Sequence, residues 1–251
     1  MEVSRFECRI TNYYHVEINK NKVAEKYNAL EIIWNDKWHR RTFKEIQDFI
    51  STHVAPLDNA KGKILNAGSA GYNYSLPEEK MTHLDIASEK VAHLINGVVG
   101  SIETLQFPEN EFDLIVCVGS VINYNDPMVA FKEFNKVLKN GGSIVVEFEN
   151  SNTLELLFTQ NYNKKAVLVK TFYNGPEPLW YYSDEWIKEI VETNNLEIVM
   201  CYKFHFLSPL IYRFTKDENK AGVYIRFDWI FRLIPFLRKI SSNTIYLIRK
   251  K

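Results

Sequence analysis

The residues best suited to hold a ligand follow short apolar segments in the middle of the chain. Asn66, Ala67 and Gly68 end the first segment, and Gly71 lies three positions further on. Small residues at such a turn let a ligand approach the backbone closely. Asp85 ends the second segment, where a carboxylate can accept hydrogen bonds from both hydroxyls of a ribose. A tight turn explains the glycines and a helix cap explains Asp85, but the two features together favour a nucleoside ligand.

Alternating strands and helices would bring these residues together. Four short apolar runs predict strands, at 63–67, 83–86, 112–118 and 143–148. Helical spacing over 127–138, with Asp126 as a cap and Gly141 after its end, predicts a helix between the last two strands. This alternation is typical of a parallel sheet with right-handed crossovers, in which ligands bind beyond the carboxyl ends of the strands. Segments 197–204 and 244–248 are the predicted closing strands.

A dinucleotide site requires a different glycine pattern. When G-x-G-x-x-G is started at Gly68, its second and third glycines fall at Ala70 and Asn73, so only the first is present. Residues 72–77 are also poor helix formers, whereas a pyrophosphate needs a helix amino terminus there. An NAD-dependent oxidoreductase is therefore the less favoured alternative.

A more specific pattern lies between Phe107 and Gly142. It reads F-P-x-x-x-F-D-x-[IV], followed about 25 residues later by V-L-K-x-G-G. With the loop at Gly68, this pattern resembles the class I S-adenosylmethionine-dependent methyltransferases, in the small-molecule branch called methyltransferase-11. The resemblance implies an α/β, Rossmann-like seven-stranded sheet that is mostly parallel, with an antiparallel last strand and helices on both faces.

The resemblance also implies where S-adenosylmethionine would bind. The matching positions are Asn66, Ala67, Gly68, Asp85, Ile86, Ser101, Ile102, Cys117 and Val118. In the family, the first three pass the methionine part of the cofactor, and the next two meet the ribose diol and the adenine face. The pair after the third strand reads the adenine edge, and the last two lie beneath the methyl-bearing sulfur.

Three positions depart from the family pattern. Asn66 stands where the first motif usually opens with an acid, Ala70 replaces its second glycine, and Ser101 replaces the acid that binds adenine. A neutral acceptor at Ser101 weakens that hydrogen bond by roughly 1 kcal/mol. A non-catalytic protein that binds S-adenosylmethionine or a nucleoside is therefore the main alternative to a methyltransferase, and we expect Asp85 to preserve binding.

Methyl transfer from a sulfonium is an in-line displacement. The protein aligns the two reactants, excludes water and sometimes supplies a base. The weak candidates for a catalytic role are His39, Tyr124 and His205; a solvated helix face or core packing explains each of them as well. Glu147 and Glu149 alternate on the fifth strand and can either face the cleft or form strand-end ion pairs. The pattern leaves the acceptor open, with an apolar or aromatic small molecule favoured.

Composition sets the broad class. The chain has 251 residues, as many basic as acidic side chains, and three cysteines, too few and too scattered for a disulfide framework or a metal site. No signal pattern and no membrane-spanning run is present, so a cytoplasmic location is expected. No nucleic-acid reader motif appears, and the oligomeric state stays open.

The predicted organisation is a helical cap at 1–60 and a methyltransferase domain at 61–251. Within the domain, 150–180 and 207–240 are interpreted as insertions on the substrate side. The second of these is apolar with interleaved arginines in a basic carboxyl-terminal fifth of the chain. Packing on the sheet is favoured over contact with a membrane surface, which stays an alternative.

Overall fold

A seven-stranded sheet forms the centre of the computed structural model, which describes residues 18–171, 177–234 and 237–251. Its strands lie in the order β3-β2-β1-β4-β5-β9-β8. They are β1 (Ile64–Ala67), β2 (Met81–Asp85), β3 (Gly97–Val99), β4 (Phe112–Cys117), β5 (Leu138–Glu149), β8 (Leu196–Phe204) and β9 (Asn243–Lys250). Neighbouring strands from β3 to β5 are parallel, and β9 is antiparallel to both β5 and β8. The predicted Rossmann-like sheet is confirmed, including its antiparallel last strand.

Helices cover the sheet on both faces. They are α1 (Lys20–Ala29), α2 (Lys37–Phe49), α3 (Ser88–Val91), α4 (Pro127–Val137), α5 (Asp184–Thr193), α6 (Ser208–Thr215), α7 (Glu218–Val223) and α8 (Asp228–Leu233). Side chains cap several of them: Asp126 accepts a hydrogen bond from the Met128 N–H, and Ser183 accepts one from the Trp186 N–H. Among the described residues, no helix is both long and apolar enough to cross a bilayer.

Alternate residues of the central strands belong to two separate cores. Leu65 and Ile115 pack with Phe131 of α4 in one core, and Ile64 and Leu114 pack with the other, which α2 covers. Because successive side chains of a strand point to opposite faces, a continuous apolar run is what a sheet covered on both sides requires. This is why the strands are recognisable in the sequence.

The amino-terminal helical region is divided. The spacing from Val23 to Val54 predicts a largely continuous helical stretch, but α1 ends at Ala29 and α2 begins only at Lys37. Asp36 is the reason for the restart, because its carboxylate accepts a hydrogen bond from the His39 N–H and fixes a new helix start. The intervening segment, 30–36, places Trp34 near Gly119, beyond the carboxyl end of β4.

The two predicted insertions have different structures. Residues in the first form an antiparallel hairpin, β6 (Ala166–Thr171) and β7 (Glu177–Tyr182), where the sequence shows no clear period. The second contains α6, α7 and α8. Several of its large apolar side chains are exposed, among them Phe214, Trp229 and Leu233.

Candidate functional site

One large cavity opens at the carboxyl ends of β1, β2, β4 and β5. It encloses about 1390 Å³ of empty space, counted out to its open mouth. Gly68 and Asp85 lie at one end, Gly119 in the middle, and Glu149 and Glu155 at the other end. Three strand spacings separate β2 from β5, so the two ends are roughly 14 Å apart.

Asp85 is held in place by the backbone around it. One carboxylate oxygen accepts a hydrogen bond from the Ala70 N–H at 2.8 Å, and the other accepts one from the Ala87 N–H at 2.8 Å. Burial raises the pKa of this carboxyl, and the backbone hydrogen bonds oppose that shift. Each carboxylate oxygen has a second lone pair, so the group retains the capacity to accept from a diol in the cavity.

The turn after β1 has an unusual backbone. Gly68 has a φ of +79°, and a Cβ on it would lie 2.4 Å from the Val121 side chain. Ala70 has a φ of 44°, in the left-handed region that favours glycine, while its N–H binds Asp85. Only glycine fits at Gly68, whereas the alanine at position 70 is tolerated with some strain.

Trp34 lies over the middle of the cavity. A Cβ on Gly119, which has a φ of +82°, would lie 3.3 Å from the edge of the Trp34 ring, and that ring packs at 5.4 Å from Phe43. Beneath this point, buried Glu147 accepts hydrogen bonds from the Gly119 N–H at 3.0 Å and the Ser120 N–H at 2.7 Å. Trp34, which forms the roof of the middle section, and Gly119, which forms its floor, are therefore both held by specific contacts.

Carboxyl groups and tyrosines line the far end. Burial, with the nearby charge of Glu147, raises the pKa of Glu149 to about 8, and burial raises that of Glu155 to about 7. Burial together with both carboxylates also raises the pKa of Tyr181 well above its ordinary value. Ser120 and Ser242 donate hydrogen bonds to Glu149, at 3.3 and 2.8 Å.

His39 lines the cavity and is oriented by an acid. Its Nδ1 lies 2.5 Å from a carboxylate oxygen of Asp36, the residue that caps α2. A proton held on Nδ1 by that carboxylate places the ring's lone pair on Nε2, which is the arrangement of an oriented base. Tyr124 also lines the cavity, with its hydroxyl 3.2 Å from that of Tyr27.

His205 has a different environment. It is fully buried outside the cavity wall, stacked on Trp38 at 4.5 Å, with its ring nitrogens 2.8 Å from the Thr42 hydroxyl and 3.3 Å from that of Ser208. Burial, followed by nearby positive groups, holds its pKa well below the ordinary value. These contacts favour a role in packing the cap against the domain.

The structure separates the other sequence-predicted residues into two groups. Gly68, Asp85, Ile86, Ile102, Val118, His39 and Tyr124 line the cavity. Asn66, Ala67, Ser101, Cys117 and His205 are not part of its wall. Asn66 donates hydrogen bonds to the Tyr72 carbonyl and the Met81 sulfur, so it shapes the turn from behind. Ser101 accepts a hydrogen bond from the Glu103 N–H.

Sequence reasoning missed Glu155, Trp34 and Leu179 as lining residues. Glu155 follows β5 in a stretch without periodicity, and no signal marks it. Trp34 stands just before the Asp36 cap, which is a recognisable helix start that could have revealed the break. The insertion at 150–180 and the residues next to it are also rich in aromatic side chains, which would suit the wall of a pocket for an apolar acceptor. Of these, Tyr181 lines the cavity, whereas Phe172 and Tyr173 lie outside the described residues.

Comparison with known proteins finds sequence similarity over part of the chain. Residues 65–146 match the family described as "Methyltransferase domain". Demethylmenaquinone methyltransferases of Staphylococcus haemolyticus (28% identical over 154 residues) and Staphylococcus saprophyticus (36% over 158 residues) are similar over 56% of this chain. The matches span 62% and 64% of those relatives, less than two thirds of their length.

Solved structures agree in fold. The geranyl diphosphate C-methyltransferase of Streptomyces coelicolor A3(2) has a TM-score of 0.60, with 10% identity over 92% of this chain and 98% of that one. The [4+2]-cyclase SpnF has a TM-score of 0.57, with 14% identity over 94% and 97%. The sheet order and these solved structures show that the chain has the fold of the class I S-adenosylmethionine-dependent methyltransferases. Within the chain, segment 65–146 matches the methyltransferase-11 domain.

Proposed function

We propose that this protein transfers a methyl group from S-adenosylmethionine to a small-molecule acceptor in the cytoplasm. The observation that carries the proposal is a single cavity that runs without interruption from Asp85 to Glu149. Its Asp85 end has the features that a nucleoside requires, and its Glu149 end leaves room for a second molecule. The names of the matched relatives support methyl transfer as the reaction.

The residues present fit the cofactor. Gly68 lines the cavity with backbone atoms alone, because a Cβ there would collide with Val121. Asp85 would accept the ribose hydroxyls, and Ile86 and Ile102 would contact the adenine faces as apolar lining residues. When bound, the cofactor supplies an electrophilic methyl group on a sulfonium.

The chain's own contribution is alignment and exclusion of water. Trp34 and Gly119 would hold the roof and floor of the middle section close together, so that an acceptor approaches along the cavity axis. His39 would be the base for an acceptor whose proton must be removed, because Asp36 orients it. Tyr124 would position the acceptor from the opposite wall.

Two alternatives have less support. A pyrophosphate site would need a helix amino terminus after Gly68, whereas residues 69–77 form turns. A protein that binds without turnover would need no space beyond the cofactor, yet the cavity continues to Glu155. Of the three sequence departures, Asn66 and Ser101 lie outside the wall and Ala70 keeps its hydrogen bond to Asp85.

Isothermal titration calorimetry with S-adenosylmethionine, S-adenosylhomocysteine and NAD tests the proposal. We expect binding of the first two and none of NAD. Asp85→Ala should weaken binding about 10-fold or more, because hydrogen bonds to a charged group contribute roughly 1.5–3 kcal/mol. Asp48→Ala, at an exposed carboxylate of α2, is the matched control and should bind normally. Unchanged affinity in a folded Asp85→Ala protein would remove Asp85 from the site.

A further inference from the structure

We propose that the acceptor is an amine, which binds as an ammonium ion between Glu149, Glu155 and the tyrosines at the β5 end of the cavity. The inference rests on the proposed methyl transfer and specifies its substrate class. The charged side chains of the cavity wall are mostly acidic. Asp85, Glu149, Glu155 and Glu218 line the cavity, and no described lining residue is a lysine or arginine.

Two basic side chains lie near this end, but neither of them lines the cavity. Arg213 of α6 donates a hydrogen bond to the Leu157 carbonyl at 2.8 Å, behind the wall. Lys216 is about half exposed, and its Nζ lies 3.8 Å from a carboxylate oxygen of Glu155. Both lower the pKa of Glu155, but burial outweighs them. Inside the cavity, a cationic ligand would add a positive charge that the described lining residues do not supply from a lysine or an arginine.

Aromatic rings surround the same end. Tyr124, Tyr181 and Tyr212 line the cavity with Trp38 and Leu179. Ring faces attract a cation within about 6 Å, and the attraction grows when water is excluded. Tyr181 is 5% exposed, and the charges of Glu149 and Glu155 contribute to its raised pKa. The rings and the carboxyl groups therefore share one region. Acids next to rings are a suitable environment for an ammonium group with an apolar body.

An anionic acceptor fits this end poorly. A phosphate, carboxylate or phenolate would place another negative charge beside Glu149 and Glu155, and like charges at short range disfavour ionisation. A buried charge without a partner costs several kcal/mol. An ammonium ion has the opposite effect, because it adds a positive charge beside the two carboxylates.

The acids are also placed for the chemistry. Glu149 ends β5, which is the neighbour of β4. Gly119 follows the end of β4, and the reacting carbon is expected above it. The ammonium nitrogen would give one proton to a carboxylate, and the freed lone pair would form the new N–C bond. The electron pair of the broken C–S bond stays on sulfur, which yields S-adenosylhomocysteine. The proton leaves to solvent, so one ammonium ion and one sulfonium become a methylammonium ion, a thioether and a proton.

The cavity is expected to bind amines more tightly as pH rises. The groups that surround Glu149 come from several elements. Glu147 lies on the same strand, Tyr181 on β7, Asn243 at the start of β9 and Ser242 just before it. Glu155 is also near, together with Arg213 of α6 and Lys216, which follows that helix. With pKa values of about 8 and about 7, the two glutamates are largely neutral at pH 6. Ammonium binding at pH 6 must then release a proton, whereas at pH 8 the carboxylates are already formed in large part.

The test uses four probes of similar size: 2-phenylethylamine, 2-phenylethanol, 4-ethylphenol and 3-phenylpropanoate. Their affinities are measured by calorimetry at pH 6 and pH 8, on the full chain saturated with S-adenosylhomocysteine. We expect the amine to bind at least 10-fold more tightly than the alcohol, and its affinity to rise at least 10-fold from pH 6 to pH 8. Methylation of the amine is then followed by mass shift.

Glutamine variants identify the residues. Glu149→Gln with Glu155→Gln should abolish the preference for the amine and its pH dependence, while Glu197→Gln on the exposed face of β8 should keep both. Tighter binding of the phenol, the alcohol or the carboxylate would overturn the proposal, as would no binding of any probe at millimolar concentration. An unchanged preference in the double variant would also overturn it, and so would a loss confined to S-adenosylhomocysteine affinity. Amine binding to a chain that does not bind S-adenosylmethionine would refute the proposed function alone.

Discussion

The sharpest structural prediction concerns Gly68→Ala. The added methyl group has two separate costs, because Gly68 has a φ of +79° and its Cβ would lie 2.4 and 2.5 Å from the two methyl groups of Val121. The left-handed backbone costs an alanine about 1 kcal/mol. Overpacking adds about 1–3 kcal/mol. We therefore expect the free energy of unfolding to fall by about 2–4 kcal/mol in total.

Gly141→Ala separates the two costs. Gly141 has a φ of +75°, almost the same as Gly68, but a Cβ there would meet nothing within 4 Å. It should lose only the backbone contribution, about 1 kcal/mol. Val121→Ala removes both colliding methyl groups, so the double variant with Gly68→Ala should recover at least 1 kcal/mol relative to the sum of the single changes.

Urea unfolding monitored by circular dichroism measures all four variants. We expect a larger loss at Gly68 than at Gly141 and a favourable coupling between Gly68→Ala and Val121→Ala. Equal losses at the two glycines would refute the steric reasoning and leave only the backbone conformation. Additive effects in the double variant would show that the contact with Val121 is not what excludes a side chain.

Two further predictions concern neighbouring positions. Ala70→Gly should raise the free energy of unfolding by about 0.5–1 kcal/mol, because it relieves the left-handed strain at a φ of 44°; a loss of stability would contradict this. The raised pKa of Glu149, about 8, means that its contribution to stability is complete at low pH and is lost as pH rises to about 8. Urea midpoints measured between pH 5 and pH 8.5 should therefore fall less in Glu149→Gln than in the unchanged protein, and parallel curves would contradict the assignment.

The sheet was predictable because its strands have a strong signal. A strand buried on both faces needs apolar residues at consecutive positions, and the sequence of 112–118 alone shows such a run. Asp85 was predictable for a related reason, since the residue after a parallel strand lies at the ligand-binding edge wherever the side chain points.

Side-chain direction was not predictable. Asn66 and Cys117 lie at the right ends of the right strands but do not line the cavity. Glu149 and Glu147 differ in the same way, because one lines the wall and the other binds the backbone of Gly119 from below. The sequence orders residues along a strand, while the twist of the sheet and the packing of the cap decide which of them reach the ligand.

The two ends of the cavity have different positions along the chain. Gly68, Asp85, Ile102 and Val118 all lie inside the matched segment 65–146. Most of the residues that we assign to the acceptor lie beyond it, namely Glu149, Glu155, Leu179, Tyr181 and Tyr212, whereas Tyr124 lies inside it. Such a division would let evolution exchange the acceptor by changes after the matched segment, while the part that we assign to the methyl donor stays the same. A match to this domain is therefore a guide to the reaction, and the acceptor has to be learned from each pocket separately.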